Sequence, residues 1–271
     1  MKNLLFILLF IAVQSFAQIN GIKKPLSIGE INTIHSGILN EDRTLNIYLP
    51  QTYNDSTHYP VIYLLDGTLN EDFIHIAGLT QFFNLMFQMP DCIVVGIANV
   101  DRKRDFTFHT ELKDLKKNYP TTGHSEKFIE FIEKELQPYI SENYRVNDTR
   151  YLIGQSLGGL LASEILLKKP HLFSHYFIIS PSLWWDNESL LNAAPKLLAG
   201  QPDTERYVYV SVGKDEDKIM RREAESLFQI LQKSAKKNLK SEFNLMQGEN
   251  HATVLHRSIY EGFLRLFPYK N

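Results

Sequence analysis

The chain has 271 residues, 44% hydrophobic and 22% charged, a composition that supports a sizeable core in one large α/β domain. Its 29 Lys and Arg against 31 Asp and Glu leave no basic excess to displace counterions from phosphates, which argues against a nucleic-acid partner. Cys92 is the only cysteine, so there is no internal disulfide and stability must come from the core.

In chain order, residues 1–17 read as a secretory signal peptide. Lys2 supplies the positive start, residues 4–13 are a short apolar run, and Ser15-Phe16-Ala17 gives a small-x-small cleavage site before Gln18. The run is too short to span a bilayer. The expectation is an exported protein, periplasmic or secreted, with no stable membrane insertion after removal of the signal, and a single domain over 18–271.

Strands are predicted at 31–38, 44–49, 61–65, 92–97, 150–153, 176–179, 207–212 and 242–246. The first two are joined by a turn at Asn40-Glu41-Asp42 and form an antiparallel edge hairpin. Several of the others are continuous apolar runs, as in central strands covered on both faces. Between them lie helical patterns. Phe128, Ile132, Leu136 and Ile140 recur four apart after an N-cap candidate, Ser125. Further helices are predicted at 157–169, stopped by Lys168-Lys169-Pro170, at 219–231 with Ile219, Leu227 and Leu231 on one side, and at 251–266. The alternation predicts a three-layer α/β fold on a mostly parallel eight-stranded sheet. Residues 181–203 are too long for a bare connection and read as short helices or a lid-like insertion.

Gly154-Gln155-Ser156-Leu157-Gly158 has the Gly-x-Ser-x-Gly form of a nucleophile elbow, a tight strand-to-helix turn that presents a serine hydroxyl. Chance alone supplies the pattern in about one chain in ten of this length. Its weight therefore depends on its partners. Ser156 needs a base to take its proton, and His251, directly after the last predicted strand, stands where the order Ser, acid, His requires one. His256 is the runner-up. The acid belongs in the loop after the strand at 207–212, Gly213-Lys214-Asp215-Glu216-Asp217, which offers three carboxylates. An oxyanion hole needs two backbone N–H groups. Leu157, at a helix N-terminus, supplies one; the Asp66-Gly67-Thr68 loop supplies the other, with Gly67 letting the backbone approach the substrate carbonyl.

These residues form an ordered set. Pro60 to Gly67, then Val95-Gly96-Ile97 with Arg102, Arg104 and Asp105, then the elbow through Gly159, then Ser180-Pro181-Ser182-Leu183-Trp184-Trp185, then Asn250-His251 together resemble the putative-esterase branch of the α/β-hydrolases. That branch includes siderophore trilactone esterases, feruloyl esterases, S-formylglutathione hydrolases and mycolyltransferases. The resemblance implies Ser156 as nucleophile, His251 as base, and Glu216, three residues after Gly213, as acid, with Asp215 and Asp217 as alternatives. It implies the Thr68 amide as the second oxyanion donor and places Trp184, Trp185 and Arg102 at the substrate pocket. Two departures stand out: no evident cationic set for a triscatecholate iron complex, and an acid that is not unique, so that a serine–histidine dyad stays open.

The expected activity is serine carboxylic-ester hydrolysis of a small-molecule or carbohydrate-linked ester, siderophore-type esters among them. No cofactor or metal is expected, since no H-E-x-x-H or comparable spacing is present. The alternatives are acyl transfer by the same triad and a non-catalytic binding protein on a hydrolase scaffold.

Overall fold

The computed structural model describes residues 22–269; the signal-peptide reading of 1–17 lies outside the described residues. Eight strands form one sheet: β1 (Glu30–Ser36), β2 (Glu41–Tyr48), β3 (Tyr59–Leu64), β4 (Ile93–Ile97), β5 (Val146–Gln155), β6 (His175–Ile179), β7 (Arg206–Gly213) and β8 (Leu239–Met246). Their order is β1-β2-β4-β3-β5-β6-β7-β8. β1 pairs antiparallel with β2, and β2 antiparallel with β4. From β4 through β3 to β8 every pairing is parallel. The expected eight-stranded architecture with an antiparallel edge is therefore present. The hairpin turn falls earlier than expected, because β2 already begins at Glu41 and Asn40 takes a left-handed φ of 53°. Asparagine tolerates that region better than most residues.

Period-two alternation splits the apolar strands between two cores. Val61 and Tyr63 of β3 face one, and Ile62 and Leu64 face the other, which is why these runs are apolar at every position. On the second face lie α1 (Phe73–Met86) and α9 (Val254–Leu266). Phe83, Ile259 and Phe263 are fully buried there, each such side chain contributing roughly 1.5–3 kcal/mol relative to exposure. The first face is covered by α4 (Ser125–Phe131), α5 (Gln137–Asn143), α6 (Leu157–Lys168), α7 (Ser189–Ala199) and α8 (Lys218–Lys233). Two short helices, α2 (Arg102–Phe106) and α3 (Lys113–Asn118), follow β4.

The residues spaced by four, Phe128, Ile132, Leu136 and Ile140, are all fully buried. A regular α-helix would rotate such a series off its face, since it has 3.6 residues per turn. Between α4 and α5 the chain instead makes a π-turn over Ile132–Leu136, closed by the Gln137 N–H on Ile132 O. The next residue, Pro138, has no N–H to continue the ladder, and the wider turn brings the series back toward the core. Ser125 does not cap this helix: α4 begins on it, and its hydroxyl donates to the buried Glu164 carboxylate at 2.7 Å. In α8 the first-turn apolar residue that turns inward is Met220, while Ile219 is exposed. The 181–203 segment carries α7, packed against α6 and α8.

Candidate active site

Ser156 sits between β5 and α6 with φ 59° and ψ −119°, a strained conformation for a residue with a side chain. Surrounding backbone enforces it. A Cβ on Gly154 would lie 2.4 Å from Gly158 O, and one on Gly159 would lie 2.9 Å from both Ile179 O and Pro181 Cα. At Gly158 the nearest atom would be 3.4 Å away, an ordinary contact. The steric demand thus falls on Gly154 and Gly159, and the motif's second glycine matters as the backbone that Gly154 touches. The Ser156 N–H donates to Ile179 O at 3.1 Å, and Ser156 O accepts from Ser182 N–H at 3.0 Å. The elbow is thereby tied to the end of β6.

Of the three carboxylates after β7, the structure brings Glu216 to His251. Glu216 Oε2 lies 2.7 Å from His251 Nδ1. Its Oε1 accepts from Ser180 Oγ at 2.5 Å and from the Gly213 N–H at 2.7 Å. Burial alone would raise this carboxyl, but the hydrogen bonds from His251, Ser180 and Gly213 outweigh it and hold the group below the usual glutamate range. Asp215 is exposed, and Asp217 caps α8 through the Ile219 N–H at 2.7 Å. His256 is not beside Glu216; its Nε2 lies 3.9 Å from Asp72 and its ring packs against His75.

Ser156 and His251 line one open cleft of about 420 Å³ with Asp66, Glu71, Asp72, Arg102, Gln155 and Ala252. The His251 imidazole is about half exposed to it. In this structure Ser156 Oγ is 3.4 Å from Ser182 Oγ and makes no hydrogen bond to His251. Such bonds are commonly long in unliganded sites and tighten around substrate. Gln155 Nε2 donates to His251 O at 2.5 Å and joins the elbow to the histidine loop.

Among the described residues, the Leu157 and Thr68 amides have no hydrogen-bond acceptor. Thr68 is held from its other side, where its carbonyl accepts from the Glu71 and Phe73 N–H groups. Gly67 is not among the residues lining the cleft. Its N–H donates to Ile97 O at 3.0 Å, and a Cβ there would lie 2.3 Å from Gly96 Cα. Its small size serves the packing of the β3 and β4 exits.

Arg102 lines the cleft, yet its guanidinium is committed. Nε and Nη2 donate to the two Asp66 oxygens at 2.6 and 2.9 Å, and Nη2 reaches Gln155 O at 3.2 Å. It joins the Thr68 loop to the elbow. Arg104 and Asp105 build a separate network in which Asp105 pairs with the fully buried Arg43 at 2.8 Å. Trp185 is a correction to the expected pocket: it is fully buried, donates Nε1–H to Phe108 O at 2.9 Å and packs edge-on against Tyr119. Trp184 is half-buried between Tyr119 and Trp185 and is not among the residues lining the cleft. Sequence reasoning missed Ser180 and Gln155, whose contacts are visible only in space.

The Putative esterase family matches residues 36–259. The chain belongs to that family. It is 29% identical over 242 residues to the ferri-bacillibactin esterase BesA of Bacillus subtilis, covering 80% of this chain and 82% of that protein. The crystal structure of a BES protein from Bacillus cereus superposes with a TM-score of 0.80 at 30% identity, covering 91% of this chain and 97% of that one. An IroE-like serine hydrolase from Shewanella oneidensis superposes with a TM-score of 0.81 at 32% identity, covering 88% and 80%. The esterase fold and activity class are thus shared with relatives along nearly the whole described chain.

Proposed function

We propose that this esterase cleaves carboxylic esters through an acyl-enzyme on Ser156, and that its substrates are siderophore-type esters. One observation carries the mechanism. His251 is gripped by the buried Glu216 at 2.7 Å and faces the same cleft as a serine held at φ 59°. His251 Nε2 takes the Ser156 proton as Oγ attacks the ester carbonyl. Glu216 fixes the tautomer and stabilises the imidazolium without taking up the proton. The Leu157 and Thr68 amides hold the developing oxyanion. His251 then protonates the departing alcohol and activates the water that releases the acyl group.

The exposure of His251 to open cleft water supports hydrolysis over transfer. The names of the relatives support the substrate class: besides BesA, a siderophore enterobactin esterase of Emericella nidulans is 37% identical over 81 residues, 29% of this chain and 27% of that protein. The signal-like residues 1–17 support export to the periplasm or beyond. A fluorophosphonate probe tests the nucleophile, labelling wild type and leaving Ser156→Ala unlabelled; equal labelling of both removes Ser156 from this role. A panel of siderophore trilactones, feruloylated and acetylated sugars and short acyl esters tests the substrate class. Fractionation of cells expressing the full chain tests export.

A further inference from the structure

The cleft beside Ser156 has an unbalanced charge. Its carboxylates are Asp66, Glu71 and Asp72, and its cationic side chain is Arg102. Arg102 and Asp66 form a two-bond pair, at 2.6 and 2.9 Å, so the one cation is matched by one of the three carboxylates. Glu71 and Asp72 remain, on the approach to α1. Glu71 is exposed, and its Oε2 accepts the Thr68 hydroxyl at 3.0 Å. That bond keeps a negative charge beside the amide assigned to the oxyanion hole. Asp72 is partly buried, with His256 Nε2 3.9 Å from its Oδ1 and His75 edge-on against His256.

The field is felt within the cleft. Burial first, then the charges of Asp66 and Glu71, push the Asp72 carboxyl up to about 6 against the opposing pull of Arg102. A fixed negative field at the mouth of a cleft attracts cations, admits neutral molecules and repels anions.

Resting on the esterase reading of this cleft, we propose that Glu71 and Asp72 select ester substrates that are neutral or cationic near the scissile bond and disfavour anionic ones. Among siderophore-type esters the distinction is large. A ferric triscatecholate is a trianion, whereas an iron-free catechol ester, whose hydroxyls resemble the tyrosine phenol, stays protonated at neutral pH. On this basis the cleft favours the iron-free lactone, or an uncharged iron complex, over the ferric triscatecholate, a preference that would set this chain apart from BesA, whose name carries the ferric form.

The test compares kcat/KM for p-nitrophenyl esters of equal acyl length ending in a methyl or a carboxylate group. At low salt the wild-type anionic-to-neutral ratio is expected about tenfold below unity, the size of one or two like-charge contacts at a wetted surface. Glu71→Gln combined with Asp72→Asn raises that ratio about tenfold. In wild type, salt of about 1 M raises it as well, because screening then acts within about 3 Å. The salt arm needs no variant and so does not depend on variant folding. A ratio near unity that neither the substitutions nor salt moves overturns the proposal. So does faster cleavage of a ferric triscatecholate trilactone than of its iron-free form. Neutral-ester hydrolysis that disappears in Ser156→Ala establishes the esterase reading separately, so a flat ratio counts against charge selection alone.

Discussion

Glu216 holds His251 with one carboxylate oxygen while Ser180 and the Gly213 amide hold the other. Both oxygens are therefore fixed, and the direction of the imidazole follows from the end of β6 as much as from β7. Ser180 reaches Glu216 from a left-handed φ of 42°, a strained position for a serine.

That arrangement makes Ser180 a positioning residue. Ser180→Ala is expected to lower kcat about tenfold with little change in KM, as loss of one oriented hydrogen bond would. Glu216→Gln is expected to lower it by about 10³ or more, the effect of a wrong histidine tautomer. Steady-state kinetics on a soluble ester check both; equal small effects would mean that Glu216 does not orient His251.

The pH dependence of stability follows from the same carboxyl. Its folded pKa lies below the ordinary glutamate value, so its stabilising contribution is complete above about pH 4.5 and is lost as pH falls through the depressed value. Glu216→Gln is expected to remove that contribution at neutral pH, and thermal melts at pH 7 and pH 3 should differ less in the variant than in wild type.

Glu223 has the opposite sign. It is fully buried on α8, its Oε2 has no hydrogen-bond partner among the described residues, and burial, then the charge of Glu188, push its carboxyl up to about 7. A raised folded pKa means that stability falls as pH rises between about 4.5 and 7. Glu223→Gln is expected to stabilise by about 1–3 kcal/mol at pH 8 and by much less at pH 5. Denaturant titrations at the two pH values check this, and a pH-independent gain would contradict it.

The glycines of the elbow separate by their contacts. Gly154→Ala and Gly159→Ala place a Cβ against backbone at 2.4 and 2.9 Å, and each is expected to destabilise by about 2 kcal/mol or more. Gly158→Ala meets only ordinary contacts and is expected to fold with a loss within about 1 kcal/mol. Thermal denaturation of the three variants ranks them.

Arg102→Ala leaves Asp66 with Asn99 as its remaining side-chain donor and releases the Gln155 carbonyl. The expected outcome is a fall in kcat of about tenfold or more through misplacement of the oxyanion amides. Weaker binding of a boronic-acid inhibitor in parallel checks it, since that ligand mimics the tetrahedral state.

Much of this was legible in the sequence because β3, β4, β6 and β7 are nearly continuous apolar runs, which only a doubly covered sheet explains. That a carboxylate of the loop after β7 meets His251 was legible from order along the chain, while the choice of Glu216 among the three came from the family resemblance. What escaped notice depends on contacts between distant segments. Trp185 reads as a pocket aromatic until Phe108 O is seen to take its N–H. Arg102 reads as a substrate-pocket residue until Asp66, 36 residues earlier, is found to occupy its guanidinium. The π-turn is hidden because spacing by four reads as an ordinary amphipathic helix, and the cue was Pro138.

The candidate triad and oxyanion groups follow β3, β5, β7 and β8, and the last of these is an edge strand with β7 as its sheet neighbour. Along β8 only Met246 is buried, whereas every residue of β3 and β4 is, so this edge has less apolar packing than the central strands to keep it seated. The esterase consequently has a hierarchy of failure. Fraying of that edge would displace His251 while the central strands persist, so on the proposed mechanism hydrolysis is expected to stop before the fold dissolves.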